Sequence, residues 1–238
     1  MKKIYFSLLL FAVVLAGVAD GQVIKVISIS NYTLDVKVGE KVAVKNTITV
    51  KNLIGSPIVP GIGEIRLQKR SPTKVLFFSI PFTENPEPVS VNGVRAYTGD
   101  GKQIPVNVTS EGDYTSIRYE IWYPVEPGRE FTFVVEYESE ELAERGILFS
   151  DVSIPVGSDM EIQSINARFH PASGWKMVYS GRAPGRLPAG GIAFYTAEFS
   201  PLPLPDVGIR WSVFLWSLVL LLSLVVFTYI TKYGKKSE

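Results

Sequence analysis

Apolar and polar residues alternate along most of the chain between residues 23 and 200, as they do in strands that bury one face of a sheet. Leu34, Val36 and Val38 alternate with polar residues, and the alternation resumes after a Gly39-Glu40 turn. It returns in residues 62–67, 74–80, 88–97, 114–125, 129–137, 147–156, 160–170, 175–179 and 192–199. Gly-containing hairpin turns are predicted at residues 98–101 and 126–128. The pattern predicts an all-β fold, an antiparallel β-sandwich.

Residues 138–146 (ESEELAERG) break this alternation. Their helix-forming residues, acidic start and Arg-Gly end are typical of a short capped helix. A helix here would join a first β-sandwich unit at residues 22–140 to a smaller β unit at residues 141–200. One extended sandwich fits the same alternation.

Residues 211–231 contain no charged side chain and predict a membrane-spanning helix. At about 1.5 Å per residue they cover roughly 30 Å, the thickness of the hydrocarbon core of a bilayer. Residues 201–210 precede them and are rich in proline, which favours a stiff, extended stalk.

The first 21 residues predict a signal peptide, with Lys2 and Lys3 before an apolar stretch and small residues at Gly17 and Ala19. A retained N-terminal anchor is the alternative. The lysines of residues 232–238 favour a cytosolic tail, which makes the protein single-pass type I with an extracytoplasmic β domain. Residues 235–238, Lys-Lys-Ser-Glu, match a signal for retrieval to the endoplasmic reticulum if the host is eukaryotic, and are a plain basic anchor otherwise.

The amino-acid composition limits the kinds of catalytic and metal site that the chain can contain. The chain has no cysteine and one histidine, which excludes cysteine zinc sites, thiol catalysis and clusters of several histidines. We therefore expect no metal, no cofactor and no catalytic site. The formal net charge of +1 argues against a nucleic-acid partner.

Two kinds of candidate site residue remain. Asn31 and Asn107 lie in Asn-x-Thr sequons and are glycosylation candidates, which would make the chain a glycoprotein. Four hydroxyl residues of the predicted span are candidate contacts with other membrane helices: Ser212, Ser217, Ser223 and Thr228. Ser212 and Ser223 share one helix face, and Ser217 and Thr228 share another. Their hydroxyls fit equally well as donors to the carbonyls of their own helix.

Residues 119–137 (YEIWYPVEPGREFTFVVEY) form a strand, a Pro-Gly turn and a valine-rich strand. This arrangement, together with residues 162–179, resembles the lumenal β domains of ribophorin I, a non-catalytic oligosaccharyltransferase subunit. The resemblance covers residues 26–200 and is shared with the β domain that precedes M1 aminopeptidases. The His-Glu-x-x-His zinc motif of those enzymes is absent from this sequence, so their activity is not implied.

These expectations describe an accessory subunit, without an enzyme activity of its own, in a membrane complex that handles exported proteins or glycans, as in protein glycosylation. Its partners would be other membrane proteins and the lipid bilayer. Two alternatives remain open: a structural or adhesion protein of the cell envelope, and a hydrolase with an unrecognised carboxylate site.

The charges around the span make the topology testable. A tag placed after Glu238 should be accessible to protease from the cytosolic side of sealed vesicles, because basic residues favour that side. Residues 22–200 should be protected there, and cleavage in the opposite pattern would refute the type I assignment.

Overall fold

The first two strands, β1 (Ile27–Val38) and β2 (Val42–Asn52), form an antiparallel hairpin that is paired along nearly its whole length. Apolar and polar residues alternate along both strands. Leu34, Val36 and Val38 are buried, whereas the intervening polar residues reach the surface. The structure, a computed structural model, describes residues 25–75 and 78–233. The predicted signal peptide and residues 234–238 of the predicted tail lie outside this range.

Twelve further strands and one helix follow. They are β3 (Gly61–Val75), β4 (Phe78–Pro88), β5 (Asn92–Thr98), β6 (Gln103–Ile104), β7 (Val106–Glu111), β8 (Tyr114–Ile121), β9 (Glu130–Ser139), β10 (Ala143–Arg145), β11 (Ser150–Ser158), β12 (Ile165–His170), β13 (Lys176–Ser180), β14 (Gly191–Ser200) and α1 (Trp211–Tyr233). The predicted all-β fold with one C-terminal apolar helix is therefore confirmed.

The described strands form three sheets. The first has the order β12-β1-β2-β9-β5-β6, the second β10-β11-β14-β13 and the third β4-β3-β8-β7. The pairs between these strands are antiparallel, apart from the parallel pair β1–β12. One hydrophobic cluster holds side chains from all three sheets, among them the fully buried Leu34, Ile117 and Ile154.

The parallel pair joins the two stretches that the sequence divides at residue 140. Tyr32 of β1 is in register with Ile165 of β12, and the pairing continues to Lys37 and His170. Hydrogen bonds and the hydrophobic core both cross residue 140. The boundary stays a prediction about folding units, but the two stretches share a sheet and a core.

The helix predicted at residues 138–146 is wrong. β9 continues through Ser139, a turn follows, and residues 143–145 form β10. Glu138 and Ser139 pair with Ala43 and Val42 of β2, and Leu142 is buried in the core. Cross-strand pairing and burial outweigh the helix propensity of this segment.

The two predicted hairpin turns are present, each closed by a backbone hydrogen bond. Gly101 N donates to Thr98 O over 2.9 Å, and Arg129 N donates to Glu126 O over 3.0 Å. Gly101 and Gly128 have φ values of 86° and 69°, in the left-handed region that favours glycine.

Because the two stretches share one core, we expect substitutions at distant core positions to lower the stability of the same unfolding transition. Leu34→Ala in β1 and Ile154→Ala in β11 should each lower the free energy of unfolding by about 2–5 kcal/mol, because each removes fully buried methyl groups. Thermal unfolding of the full chain in detergent, followed by near-UV circular dichroism, should show both variants shifting the same cooperative transition.

Lys37→Ala is the control, since Lys37 lies on β1 but is exposed. Lys37→Ala should change the free energy of unfolding by no more than about 0.5 kcal/mol. Two separate transitions, each moved by only one of the core variants, would show two independent units instead of one core.

Candidate functional site at the junction of the β domain and the helix

Glu198 is a fully buried carboxylate at the end of the second sheet. It lies on β14 between Ala197 and Phe199, whose side chains face the core, so it occupies a position on the outer face of the sheet. Its exposed fraction is 0%, because the start of α1 covers it. A buried carboxylate requires partners for its charge, and its environment supplies them.

Both carboxylate oxygens of Glu198 accept backbone N–H groups at the beginning of α1. Trp211 N donates to Oε2 over 2.6 Å, and Ser212 N donates to Oε1 over 2.9 Å. The first N–H groups of a helix have no partner within the helix, and negative charge is favourable beside them. Glu198 therefore caps α1 from a different element of the chain and fixes the helix start against β14.

A second contact reinforces this cap. Asp151 of β11 is in register with Glu198, and its Oδ1 lies 2.5 Å from Nη2 and 3.2 Å from Nε of Arg210. The Arg210 guanidinium thus lies beside two neighbouring acidic groups. We call Asp151, Glu198, Arg210 and the backbone N–H groups of Trp211 and Ser212 the junction.

Burial decides the electrostatics of Asp151. Desolvation raises the pKa of its carboxyl above the ordinary value and the charge of Glu198 acts in the same direction, although the hydrogen bond and charge of Arg210 act to lower it. For Arg210, desolvation acts to lower the pKa, but the hydrogen bond and charge of Asp151 raise it. The guanidinium therefore keeps its charge, whereas the carboxylate is ionised at a cost.

The connector at residues 201–210 folds back to the sheet, and the prediction of an extended stalk is wrong. Its two ends meet at Glu198 and Trp211, and the Trp211 indole Nε1 donates to Pro205 O over 2.9 Å. The Trp211 ring also packs edge-on against Phe214 at 5.7 Å between centroids. Hydrogen bonds at both ends outweigh the preference of the prolines for an extended chain.

A cleft with a volume of about 590 Å³ lies beside β5 and β6. Glu136 on its wall accepts hydrogen bonds from Tyr97 Oη at 2.6 Å and Arg95 Nε at 2.8 Å, and Lys45 lies at 3.3 Å. Desolvation acts to raise the pKa of Glu136, but these bonds lower it. These four polar side chains are thus engaged with one another.

The described residues contain no group of three or more His, Asp or Glu side chains placed to hold a metal ion. At the junction, each Glu198 oxygen already accepts a backbone N–H, and one Asp151 oxygen accepts the guanidinium. The arrangement is suited to fixing one part of the chain against another.

The predicted glycosylation candidates are both accessible. Asn31 lies at a register shift of β1, and Asn107 lies on β7; both side chains are exposed. Glycosylation at either position stays a prediction.

The hydroxyl residues of α1 bond within their own helix. Ser217 donates to Val213 O, Ser223 to Val219 O and Thr228 to Leu224 O, each over 2.8 Å. Ser212 instead contributes its backbone N–H to Glu198. Contacts with other helices stay a prediction, and each hydroxyl that donates to its own helix still has oxygen lone pairs for an outside donor.

The junction residues were not identified from the sequence. Glu198 occupies a polar position in the alternation of β14, where an ordinary carboxylate faces solvent. Its burial depends on a backbone segment 13 residues further along the chain folding back over it. An acidic residue shortly before a candidate span is the signal that the sequence carries.

The fold and the junction define a β-sheet protein. Among the residues that the structure describes, one helix, residues 211–232, is long and apolar enough to cross a membrane. Comparison with curated proteins finds the uncharacterized protein MJ1395 of Methanocaldococcus jannaschii, 32% identical over 135 residues, which are 56% of this chain and 100% of that protein. The chain belongs to the same family as that archaeal protein. No model of a protein family matches the sequence.

Solved structures with partial similarity include a metallopeptidase, a nutrient binding protein and a hydrolase. An M1 zinc metallopeptidase from Deinococcus radiodurans is 12% identical with a TM-score of 0.37, covering 73% of this chain and 39% of the enzyme. A putative nutrient binding protein from Legionella pneumophila is 9% identical with a TM-score of 0.38, covering 74% of this chain and 67% of that one. Yeast LTA4 hydrolase in complex with bestatin is 9% identical with a TM-score of 0.36, and the similarity covers 74% of this chain and 28% of the hydrolase.

This chain spans about two fifths of the length of the metallopeptidase. At these identities and scores the likeness implies no shared activity. The sequence resembles both the β domain of M1 aminopeptidases and ribophorin I. An M1 enzyme is among the similar solved structures, whereas the resemblance to ribophorin I stays a prediction.

The raised pKa of Asp151 predicts an unusual pH dependence. A carboxyl whose pKa is higher in the folded than in the unfolded protein binds its proton more tightly when folded, so its contribution to stability falls as pH rises. The free energy of unfolding of the native chain, relative to Asp151→Asn, should therefore be greatest at and below the unfolded pKa of about 3.9 and should decrease as pH rises through the folded pKa.

Denaturant titrations of the full chain in detergent between acidic and neutral pH measure this difference. Asp113→Asn, at an exposed position, is the matched control for replacing a carboxylate with an amide. A native-minus-variant difference that grows with pH would show that attraction to Arg210, and not desolvation, dominates at Asp151.

Proposed function

We propose that this protein is a membrane-anchored accessory subunit that acts by contact, with α1 in the bilayer and the β domain held in a fixed position beside it. The observation that carries this proposal is the junction. A plain tether needs only apolar length and a flexible connection. Here both oxygens of a fully buried carboxylate hold the first N–H groups of the helix.

The fixed junction matters because it couples two surfaces. A partner that binds α1 within the membrane also determines where the β domain lies, and a partner of the β domain orients the helix. Such coupling suits a subunit that contacts one complex both inside and outside the membrane. From Trp216 to Lys232 the residues of α1 are exposed, as expected of a helix that contacts lipid or other helices.

The buried and partly buried carboxylates support a role in binding over one in catalysis. Glu198 caps α1, Glu136 binds Tyr97 and Arg95, and Glu64 accepts the Ser116 hydroxyl. Each is occupied by groups of the same chain, as structural ion pairs and caps are. That the complex handles exported proteins or glycans is proposed from the resemblance to ribophorin I.

Co-purification of the tagged full chain in mild detergent tests the proposal. We expect a membrane protein to be recovered in a stable stoichiometric ratio. Glu198→Gln should weaken this recovery, because an amide cannot accept both backbone N–H groups and the helix start loosens. Glu126→Gln, in the exposed β8–β9 turn, is the matched control and should leave recovery unchanged.

Substitution of Ser217 and Thr228 with leucine in the same assay should give a partial loss of partner recovery. Interhelical hydrogen bonds average roughly 0.6 kcal/mol, or about threefold in affinity. Unchanged recovery after exchange of residues 211–231 for an unrelated apolar span would place all contacts in the β domain. Absence of any stoichiometric partner would refute the accessory role and favour an adhesion or structural protein of the envelope.

A further inference from the structure

The β10–β11 loop exposes two large apolar side chains at the end of the second sheet. Gly146 N donates to Phe149 O over 2.7 Å, so that Ile147 and Leu148 form the apex of a tight turn. Ile147 is 95% exposed and Leu148 is 43% exposed. Turn apices favour Gly, Asn, Asp and Ser, so the conformation of the turn does not account for this Ile-Leu pair.

The connector adds further apolar surface at the same end of the sheet. Leu202, Val207 and Ile209 are all exposed, although each lies in a short segment held at both ends by hydrogen bonds. We call Ile147, Leu148, Leu202, Val207 and Ile209 the apolar collar.

The junction places the collar beside the start of α1. The β10–β11 loop ends at β11, and Asp151 near the beginning of this strand binds Arg210, the residue before the helix. The connector leads directly into Trp211. If α1 spans a bilayer, its first residues lie in the interfacial region, where tryptophan is favoured, and Trp211 and Trp216 fit this position.

We propose that the apolar collar inserts into the interfacial region of the lipid bilayer around the outer end of α1. This inference rests on the helix spanning a bilayer, as proposed above, and is independent of any partner subunit. The connector part of the collar leads directly into the span, and the ion pair of Asp151 with Arg210 holds the β10–β11 end of the sheet beside the start of the helix. Exposed apolar side chains otherwise facing water gain by burial among lipid headgroups and acyl chains.

The charges beside the loop indicate that insertion is apolar and not electrostatic. Glu144 and Arg145 precede the loop and carry opposite charges, and the Arg145 guanidinium donates to Gly39 O over 2.7 Å. The loop is therefore not flanked by a basic patch that would select anionic lipids. Insertion should proceed in bilayers of zwitterionic phosphatidylcholine.

The absence of cysteine makes the test direct, because a single introduced cysteine is the only labelling site. The full chain carrying Ile147→Cys, labelled with an environment-sensitive fluorophore, is reconstituted into phosphatidylcholine vesicles. We expect blue-shifted emission, quenching by lipid-attached quenchers, and several-fold weaker quenching by aqueous iodide than at a control site. A label at Val207→Cys should behave in the same way.

Ile192→Cys supplies the matched control. Ile192 is also an exposed isoleucine, 69% accessible, but lies at the opposite end of β14, roughly 23 Å from Phe199 at about 3.3 Å per residue. Equal iodide access at positions 147 and 192 would overturn the proposal. Protection that appears only with anionic lipid, or only in native membranes, would also overturn it, in favour of an electrostatic or a protein contact.

The two proposals can fail separately. Ile147→Asp with Leu148→Asp should restore iodide access to a label at position 207 while partner recovery in detergent is unchanged. If partner recovery is lost while the label at position 207 stays protected from iodide, the result contradicts the accessory role and leaves the insertion proposal standing.

Discussion

The arrangement of this protein depends on one buried carboxylate. Glu198 lies on the outer face of β14, where a strand would normally meet water, and its two buried oxygens accept hydrogen bonds from two backbone N–H groups of α1. Neither group is stable alone in that position. An unpaired carboxylate there would be costly to bury, and an uncapped helix start would leave its donors unsatisfied. Each therefore requires the other, and the β domain and the helix are held together by this reciprocal need.

The ion pair of Asp151 and Arg210 has a different character. It lies next to the Glu198 cap and brings a positive charge between two acids, but burial makes the carboxylate expensive to ionise. Half-buried ion pairs of this kind contribute little net free energy, because desolvation offsets attraction. Its value lies in geometry: the guanidinium fixes the last connector residue against β11, so that the helix begins in one orientation.

Much of the core followed from the sequence, and the junction did not. The alternation of Leu34, Val36 and Val38 identifies a buried strand face, because a period of two is intrinsic to an extended backbone. Residues 138–146 misled local reasoning, since their helix propensity is overridden by pairing with β2. Glu198 was hidden for a similar reason. Its role depends on a contact with Trp211 across a folded connector, and no local pattern encodes such a contact.

The parallel pairing of β1 with β12 has a consequence for how the molecule is made. Tyr32 and Ile165 are partners about 130 residues apart, so β1 emerges during synthesis long before the strand that completes its edge. Until then the outer edge of β1 is an open template for other strands, and long-range pairs of this kind form slowly. β12 is followed closely by β13, β14 and the helix. Synthesis of β12 thus allows the open edge of β1 to be covered about 40 residues before the chain reaches α1, so the unpaired edge persists for most of the time in which the β domain is made.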